Sequence, residues 1–164
     1  MSLRLIVMRH AKSSWDSDAL TDHDRPLNKR GRRDAPQIAA RLVEIGWTPQ
    51  QVLSSDAQRT RETFELMSDL FDPAPSVEFL SSLYHAGPRD VVYSAAELVA
   101  SIETAMVLGH NPGWQSTVAW LSGEQIVMTT ANAALLECHG ESWPEALRTR
   151  GQWTLQDVLR PKEL

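Results

Sequence analysis

The segment Leu3-Arg4-Leu5-Ile6-Val7-Met8-Arg9-His10 decides the fold. Residues 3–8 are nearly all apolar, which is typical of a strand buried on both faces of a parallel sheet, although periodicity alone also allows a buried helix. We interpret them as the first central strand. A long polar loop, residues 11–25, then leaves the carboxyl end of this strand. Ligands bind at that end in open α/β sheets, so we expect Arg9 and His10 to lie at a binding site.

Strand-like and helical segments alternate along the rest of the chain. The first predicted helix has Asn28 as its N-cap and Gly46 just past its end, and Pro36 either kinks it or marks its true beginning. Further helices are predicted over residues 58–71, over residues 89–100 and after Gly113. Further strands are predicted over residues 52–54, 105–108, 133–138 and 153–158, the last at an edge. This order predicts one α/β domain over residues 1–164, a three-layer sandwich whose central, mostly parallel sheet has helices on both faces.

Composition narrows the class of protein. The 164 residues carry a net charge of −5, which argues against a nucleic-acid-binding protein because such proteins present a basic face. The single cysteine, Cys138, allows no intramolecular disulfide and fits a reducing compartment. We find no signal-peptide pattern and no apolar stretch long enough for a membrane helix. We therefore expect a cytoplasmic protein without a membrane segment.

Arg9 and His10 form the first candidate site. A neutral imidazole can accept a phosphoryl group at pH 7, because its unperturbed pKa is about 6.5. Neighbouring cations would oppose its protonation and keep the attacking lone pair free. An Arg-His pair taken alone is also compatible with a structural or surface role.

Arg59 is the second candidate. It lies in the segment Ser54-Ser55-Asp56-Ala57-Gln58-Arg59, where a predicted strand opens into a helix. Its guanidinium fork, the first backbone N–H groups and the helix dipole would together favour a phosphate. The alternative is that Arg59 and Arg61 are exposed helix residues paired with Glu62 or Glu65.

His110 is the third candidate, in the turn Gly109-His110-Asn111-Pro112-Gly113 at the end of another predicted strand. The glycines would permit close backbone approach or unusual dihedral angles, and His110 would either cap the next helix or contact a ligand. The carboxyl ends of parallel strands share one sheet edge. The sequence therefore predicts that Arg9, His10, Arg59 and His110 lie together.

These motifs resemble the histidine phosphatase, or phosphoglycerate mutase-like, superfamily over nearly the whole chain. The matching positions are Arg9 and His10, the pattern Ser55, Arg59 and Thr63, and the turn Gly109 and His110. The resemblance implies that His10 is the phosphoryl acceptor, with Arg9, Arg59 and His110 completing a phosphate pocket.

The segment Arg25-Pro26-Leu27-Asn28-Lys29-Arg30-Gly31 resembles the SixA-type phosphohistidine phosphatases within that superfamily. Arg25 is then a fourth phosphate ligand, or else a loop arginine paired with Asp22 or Asp24. Lys12, Ser13 and Asn111 adjoin the pocket as candidate substrate-binding residues. Trp15 is expected at its rim, and His23, His85 and His139 at the surface or in loops.

Two positions depart from the family pattern. Ala11 stands where the common Arg-His-Gly signature has glycine, a variant associated with SixA-like sequences. Larger relatives place a glutamate general acid in a middle insertion, and no segment of this sequence matches that insertion. Glu78 is the nearest carboxylate, but its sequence context does not fit. A missing acid would cost an ordinary phosphate ester about 10² to 10⁴ in rate, whereas phosphohistidine has a much better leaving group.

The predicted function is therefore a phosphatase that needs no metal ion or other cofactor and acts on phosphohistidine in a protein or peptide. One alternative is a small-molecule phosphomonoesterase or mutase, whose small phosphorylated substrate would require a general acid. The other is a phosphate-recognition module without turnover, for which a nucleophile beside the anion site would serve no purpose. No pattern indicates the oligomeric state.

Overall fold

The β-strands of the computed structural model, which describes residues 2–16, 18–19 and 21–164, form one mixed sheet of order β3-β2-β4-β1-β5-β6. The pairs β1/β4, β2/β4 and β2/β3 are parallel, and β5 and β6 join antiparallel at the other end. The strands are β1 (Ser2–Arg9), β2 (Gln51–Ser55), β3 (Ser76–Leu80), β4 (Thr104–Gly109), β5 (Ala133–His139) and β6 (Thr154–Leu159).

Helices cover both faces of the sheet. They are α1 (Lys29–Glu44), α2 (Gln58–Ser68), α3 (Pro88–Ala95), α4 (Gly113–Ser122) and the short α5 (Trp143–Ala146), and 3₁₀ turns span Asp22–Asp24, Ser81–Leu83 and Pro161–Glu163. Alternate residues of β1 separate the two cores, since successive strand side chains point to opposite faces. Leu5 and Val7 pack with α3 and α4, whereas Ile6 and Met8 pack with α1 and α2. The predicted three-layer α/β fold is confirmed.

The predicted start of the first helix at Asn28 and its predicted end before Gly46 are confirmed, and the alternative start at Pro36 is wrong. The Asn28 side chain accepts from the Gly31 N–H at 2.9 Å, and Gly46 follows the helix end in the left-handed region at φ +79°. The helix begins at Lys29, so Pro36 does not mark its beginning. A Cβ on Gly31 would overlap the Lys12 carbonyl, which ties α1 to the loop after His10.

The sequence patterns also misplaced some elements. β3 was not predicted, because an edge strand with exposed Ser76 and Glu78 carries only a weak apolar signal. The second helix ends at Ser68 instead of residue 71. The third helix ends at Ala95 instead of residue 100, because Leu98 reaches the core from a turn and mimics helical spacing. The predicted loop over residues 11–25 includes a 3₁₀ turn, and its Ser17 and Leu20, like Met1, lie outside the described residues.

Candidate functional site

The carboxyl ends of β1, β2 and β4 bring the predicted residues together. β4 lies between β1 and β2, and Arg9 is paired with Gly109. The rings of His10 and His110 are 5.2 Å apart between centroids. His110 Nε2 lies 2.8 Å from the Ser55 hydroxyl oxygen at the end of β2. Segments some 50 to 100 residues apart in sequence thus meet at one sheet edge, as the order of elements predicts.

His10 is buried, with 6% of its surface exposed, and its ring is oriented by the backbone. Its Nδ1 lies 2.7 Å from the Ala11 carbonyl oxygen, an acceptor only, so Nδ1 carries the proton and donates it. In neutral imidazole the other nitrogen then holds a free lone pair. Nε2 is therefore the ring atom that could act as a nucleophile.

Both histidines of the site are neutral at pH 7. Burial lowers the pKa of His10 well below its ordinary 6.5, and the charges of Arg59 and Arg9 lower it further. Burial, followed by Arg59, lowers the pKa of His110 to about 3. The expected effect of neighbouring cations is present, but loss of hydration is the larger cause.

Arg9 and Arg59 converge on this pair of rings. Burial and then the charge of Arg59 lower the pKa of Arg9. Arg9 Nη1 donates to the Met128 carbonyl at 3.0 Å, while its Nε is buried without a partner among the described residues. Arg59 lies in the first turn of α2, is 7% exposed, and is not the surface residue of the alternative interpretation. The site therefore concentrates positive charge where an anion would be stabilised.

The Ser55, Arg59 and Thr63 pattern has a structural explanation. The Ser55 hydroxyl oxygen accepts from the Ala57 N–H at 3.2 Å and also shares a hydrogen bond with His110 Nε2. The other ring nitrogen of His110, Nδ1, is buried without a partner among the described residues. Thr63 accepts from the Ala11 N–H at 3.1 Å and thereby fastens α2 to the residue after His10.

Asp22 is a site residue that the sequence did not single out as one. Its carboxylate accepts from Arg25 at 2.9 Å, from Arg59 at 3.1 Å and from the Tyr84 hydroxyl at 2.5 Å. These hydrogen bonds, that of Tyr84 first, lower the pKa of Asp22 far below its ordinary value, and burial with the Asp22 bond raises the pKa of Tyr84. The available sequence signal was the position of Asp22 close to the Arg-Pro-Leu motif. That signal indicated Asp22 only as an ion-pair partner of Arg25.

Arg25 is held from all sides. Besides Asp22, it donates to the Ser13 hydroxyl at 2.6 Å and to the Ser14 carbonyl at 3.0 Å, and Trp15 stacks on it at 3.3 Å from the ring centroid. Ser13 is buried as its support, and Trp15 is 75% exposed. Arg25 therefore contacts the cluster through Asp22, as one of the two alternatives proposed, and direct phosphate binding by Arg25 and Ser13 stays a prediction.

Lys12 and Asn111 hold the loops around the site. The Lys12 carbonyl accepts from the Asn28 N–H at 3.0 Å. The Asn111 amide group donates to Gln115 at 2.9 Å and to the Met128 carbonyl at 2.8 Å, so both of its hydrogens are used in hydrogen bonds that hold the turn in place. Their contact with a phosphate stays a prediction.

The other histidines differ in position. His23 is half-buried and pairs with Asp56 at 2.9 Å, and His139 is exposed. His85 is exposed but lines the cleft beside Tyr84, with ring centroids 4.0 Å apart. Within residues 2–16, 18–19 and 21–164, no group of His, Cys, Asp and Glu side chains could hold a metal ion, and no helix is long and apolar enough to cross a membrane. Glu78 is exposed on edge strand β3 and lines a different pocket from the one with Arg59 and His110.

Comparison with known proteins agrees with this geometry. Residues 5–83 match the model of the histidine phosphatase superfamily (branch 1). An uncharacterized chloroplastic protein of Arabidopsis thaliana is 42% identical over 172 aligned residues, covering 98% of this chain and 79% of the relative. That relative leaves the predicted cytoplasmic location unconfirmed.

Two solved structures share the whole fold. A candidate phosphohistidine phosphatase SixA of Nakamurella multipartitia is 26% identical with a TM-score of 0.84, and the alignment covers 98% of this chain and 97% of the other. The protein histidine phosphatase SixA complexed with tungstate is 25% identical with a TM-score of 0.77, and 99% of each chain is covered. Sequence motifs, site geometry and these matches agree: the chain belongs to the histidine phosphatase superfamily (branch 1) and is of the SixA type.

Proposed function

We propose that this phosphatase dephosphorylates phosphohistidine in a protein or peptide, with a phospho-His10 intermediate and no metal ion. The observation that supports this proposal most strongly is that His10 is buried and neutral, with its Nδ1 bound to the Ala11 carbonyl. Its Nε2 is therefore free, beside Arg9, Arg59 and His110. Nε2 attacks phosphorus, and the guanidinium groups and His110 stabilise the equatorial oxygens. Water then attacks phospho-His10 and releases phosphate.

The acid–base groups of the site support phosphohistidine over an alcohol phosphate. A departing alkoxide needs a proton, yet Asp22, the carboxylate of the described site, is ionised at neutral pH because its pKa is lowered. An imidazole leaving group exchanges its proton near neutral pH. The site therefore suits P–N cleavage better than hydrolysis of an alkyl phosphate.

A substrate panel tests the proposal. A phosphohistidine peptide, para-nitrophenyl phosphate and sugar phosphates are incubated with the protein, with and without EDTA, and phosphate release is measured. We expect the highest kcat/KM for the phosphohistidine peptide and no effect of EDTA. Turnover confined to sugar phosphates would reject the substrate class, and binding without turnover would reject the enzyme.

Ser55→Ala should lower kcat by about tenfold, because the His110 ring then loses the 2.8 Å hydrogen bond with Ser55 that orients it. The measurement is kcat for the phosphohistidine peptide, with the melting temperature as a check of folding. Ser54→Ala is the matched control, since the Ser54 hydroxyl donates to the Ser55 carbonyl and has no contact with His110 among the described hydrogen bonds. An equal loss in both variants would contradict this role of Ser55.

The pH profile should reflect the lowered pKa of His10. The unprotonated ring is the active form, so lowering its pKa extends activity to lower pH. We expect the acid limb of kcat/KM for para-nitrophenyl phosphate to lie well below pH 6.5. An acid limb at or above pH 6.5 would show that His10 is not neutralised by its surroundings.

A further inference from the structure

Asp22 places a fixed negative charge at the mouth of an otherwise cationic site. It belongs to the 3₁₀ turn Asp22–Asp24 and lines the cleft together with Arg59, Tyr84, His85, His110 and Ser116. Its side chain is 48% exposed in the same cleft as His110, whose ring lies 5.2 Å from that of His10 between centroids. A phosphatase gains nothing for phosphate binding itself from a carboxylate here, because like charges repel.

The carboxylate has acceptor capacity to spare. A carboxylate offers about four lone-pair positions. Oδ2 accepts from both Arg59 and Tyr84, whereas Oδ1 accepts only from Arg25 among the described residues. The Asp22 carboxylate can therefore accept one more hydrogen bond without breaking any of those among the described residues.

The surrounding charges keep this group ionised and in place. Arg25 is immobilised by Ser13, Ser14 and Trp15, so it anchors Asp22 from the side away from the cleft. The Tyr84 ring lies 5.5 Å from that of His110, which places the Asp22–Tyr84 pair next to the reacting histidines. The other titratable groups around this turn and cleft are His23, Asp24, Asp56, His85 and His110.

We propose that Asp22 accepts a hydrogen bond from the leaving imidazole ring of bound phosphohistidine, and that this contact selects P–N substrates over phosphate esters. The inference rests on the proposed function. The substrate ring carries a proton on the nitrogen that is not bonded to phosphorus. Asp22 stabilises this cationic ring, as opposite charges do at close range.

The bond changes need no proton transfer. The His10 Nε2 lone pair forms a new P–N bond while the original P–N bond breaks, and its electron pair goes to the departing nitrogen. The ring leaves as neutral imidazole and retains its proton on the other nitrogen. An ionised carboxylate is therefore sufficient, and a general acid is not required. A phosphate ester has no such N–H group and meets only the repulsion of Asp22.

Asp22→Asn tests this role, with Asp24→Asn in the same turn as the matched control, because Asp24 is exposed and contacts Thr21 and His23. For Asp22→Asn we expect kcat/KM for a phosphohistidine peptide to fall about 10- to 100-fold, as for loss of a charged hydrogen bond. Turnover of para-nitrophenyl phosphate should fall much less, because its leaving group has no N–H for Asp22 to bind. The alkaline limb for the phosphohistidine peptide should also move to lower pH, since the bound ring loses its proton more easily without the carboxylate.

Asp22→Glu should restore part of the preference, and Asp24→Asn should match the wild type. An equal loss on both substrates, or an unchanged alkaline limb, would overturn the role of Asp22. Failure of the proposed function is a separate result, because the wild-type protein would then release no phosphate from the phosphohistidine peptide.

Discussion

Replacement of His10 by alanine is expected to reduce kcat for a phosphohistidine peptide by at least about 10³-fold, because no covalent intermediate can form without the nucleophile. The lone pair of its Nε2 is free, because the proton of the ring lies on Nδ1, which contacts the Ala11 carbonyl. The measurement is single-turnover phosphate release, together with the acid-labile label retained on the protein after quenching. The label should be present in the wild type and missing in His10→Ala.

His139→Ala is the matched control, because His139 is exposed at the far end of β5, where it pairs with Ser2. It should keep both the turnover and the label of the wild type. Acid-labile label that persists in His10→Ala would identify another acceptor and end the proposed mechanism.

The second large effect is expected for Arg59→Ala, with a loss of about 10² to 10³ in kcat/KM. Arg59 lines the same cleft as His110, and its charge lowers the pKa values of Arg9, His10 and His110. Its removal takes away transition-state stabilisation and frees the Tyr84–Asp22 pair. Arg59→Lys should recover only part of the activity, because an ammonium group lacks the planar fork.

Arg61→Ala provides a control on the same helix. Arg61 donates to the Asp56 carbonyl and lies over the Phe79 ring, 4.4 Å from its centroid. The expected kcat/KM is within about twofold of the wild type, as for most surface substitutions. Equal losses at positions 59 and 61 would favour a structural role for this helix over phosphate binding by Arg59.

The two predictions depend on one electrostatic arrangement. A nucleophilic imidazole must stay unprotonated beside groups that attract an anion, and burial is the first cause of this state. The cations then act in the same direction, so phosphate binding and nucleophile activation do not oppose each other. The carboxylate of Asp22 is the exception, because its charge raises the pKa of His110, but burial and the charge of Arg59 lower that pKa by more.

The sequence by itself predicted the layered fold and the meeting of the candidate site residues at one sheet edge. The apolar run of residues 3–8 favoured a buried strand, and parallel strands bring His10, Arg59 and His110 to one edge. Local patterns were sufficient for these features, because burial and chain direction act on each segment separately.

Only the tertiary structure decided which atoms of the site are free and which are engaged. Tyr84 reaches Asp22 across 62 positions, and Ser55 reaches His110 across 55. Such pairs leave no periodic trace in either segment, since each depends on how two separate loops are placed by the packed sheet. Edge strand β3 was not predicted for the same reason, since it depends on a distant segment. Pairing with its neighbour β2 holds it in the sheet, and its own apolar content does not.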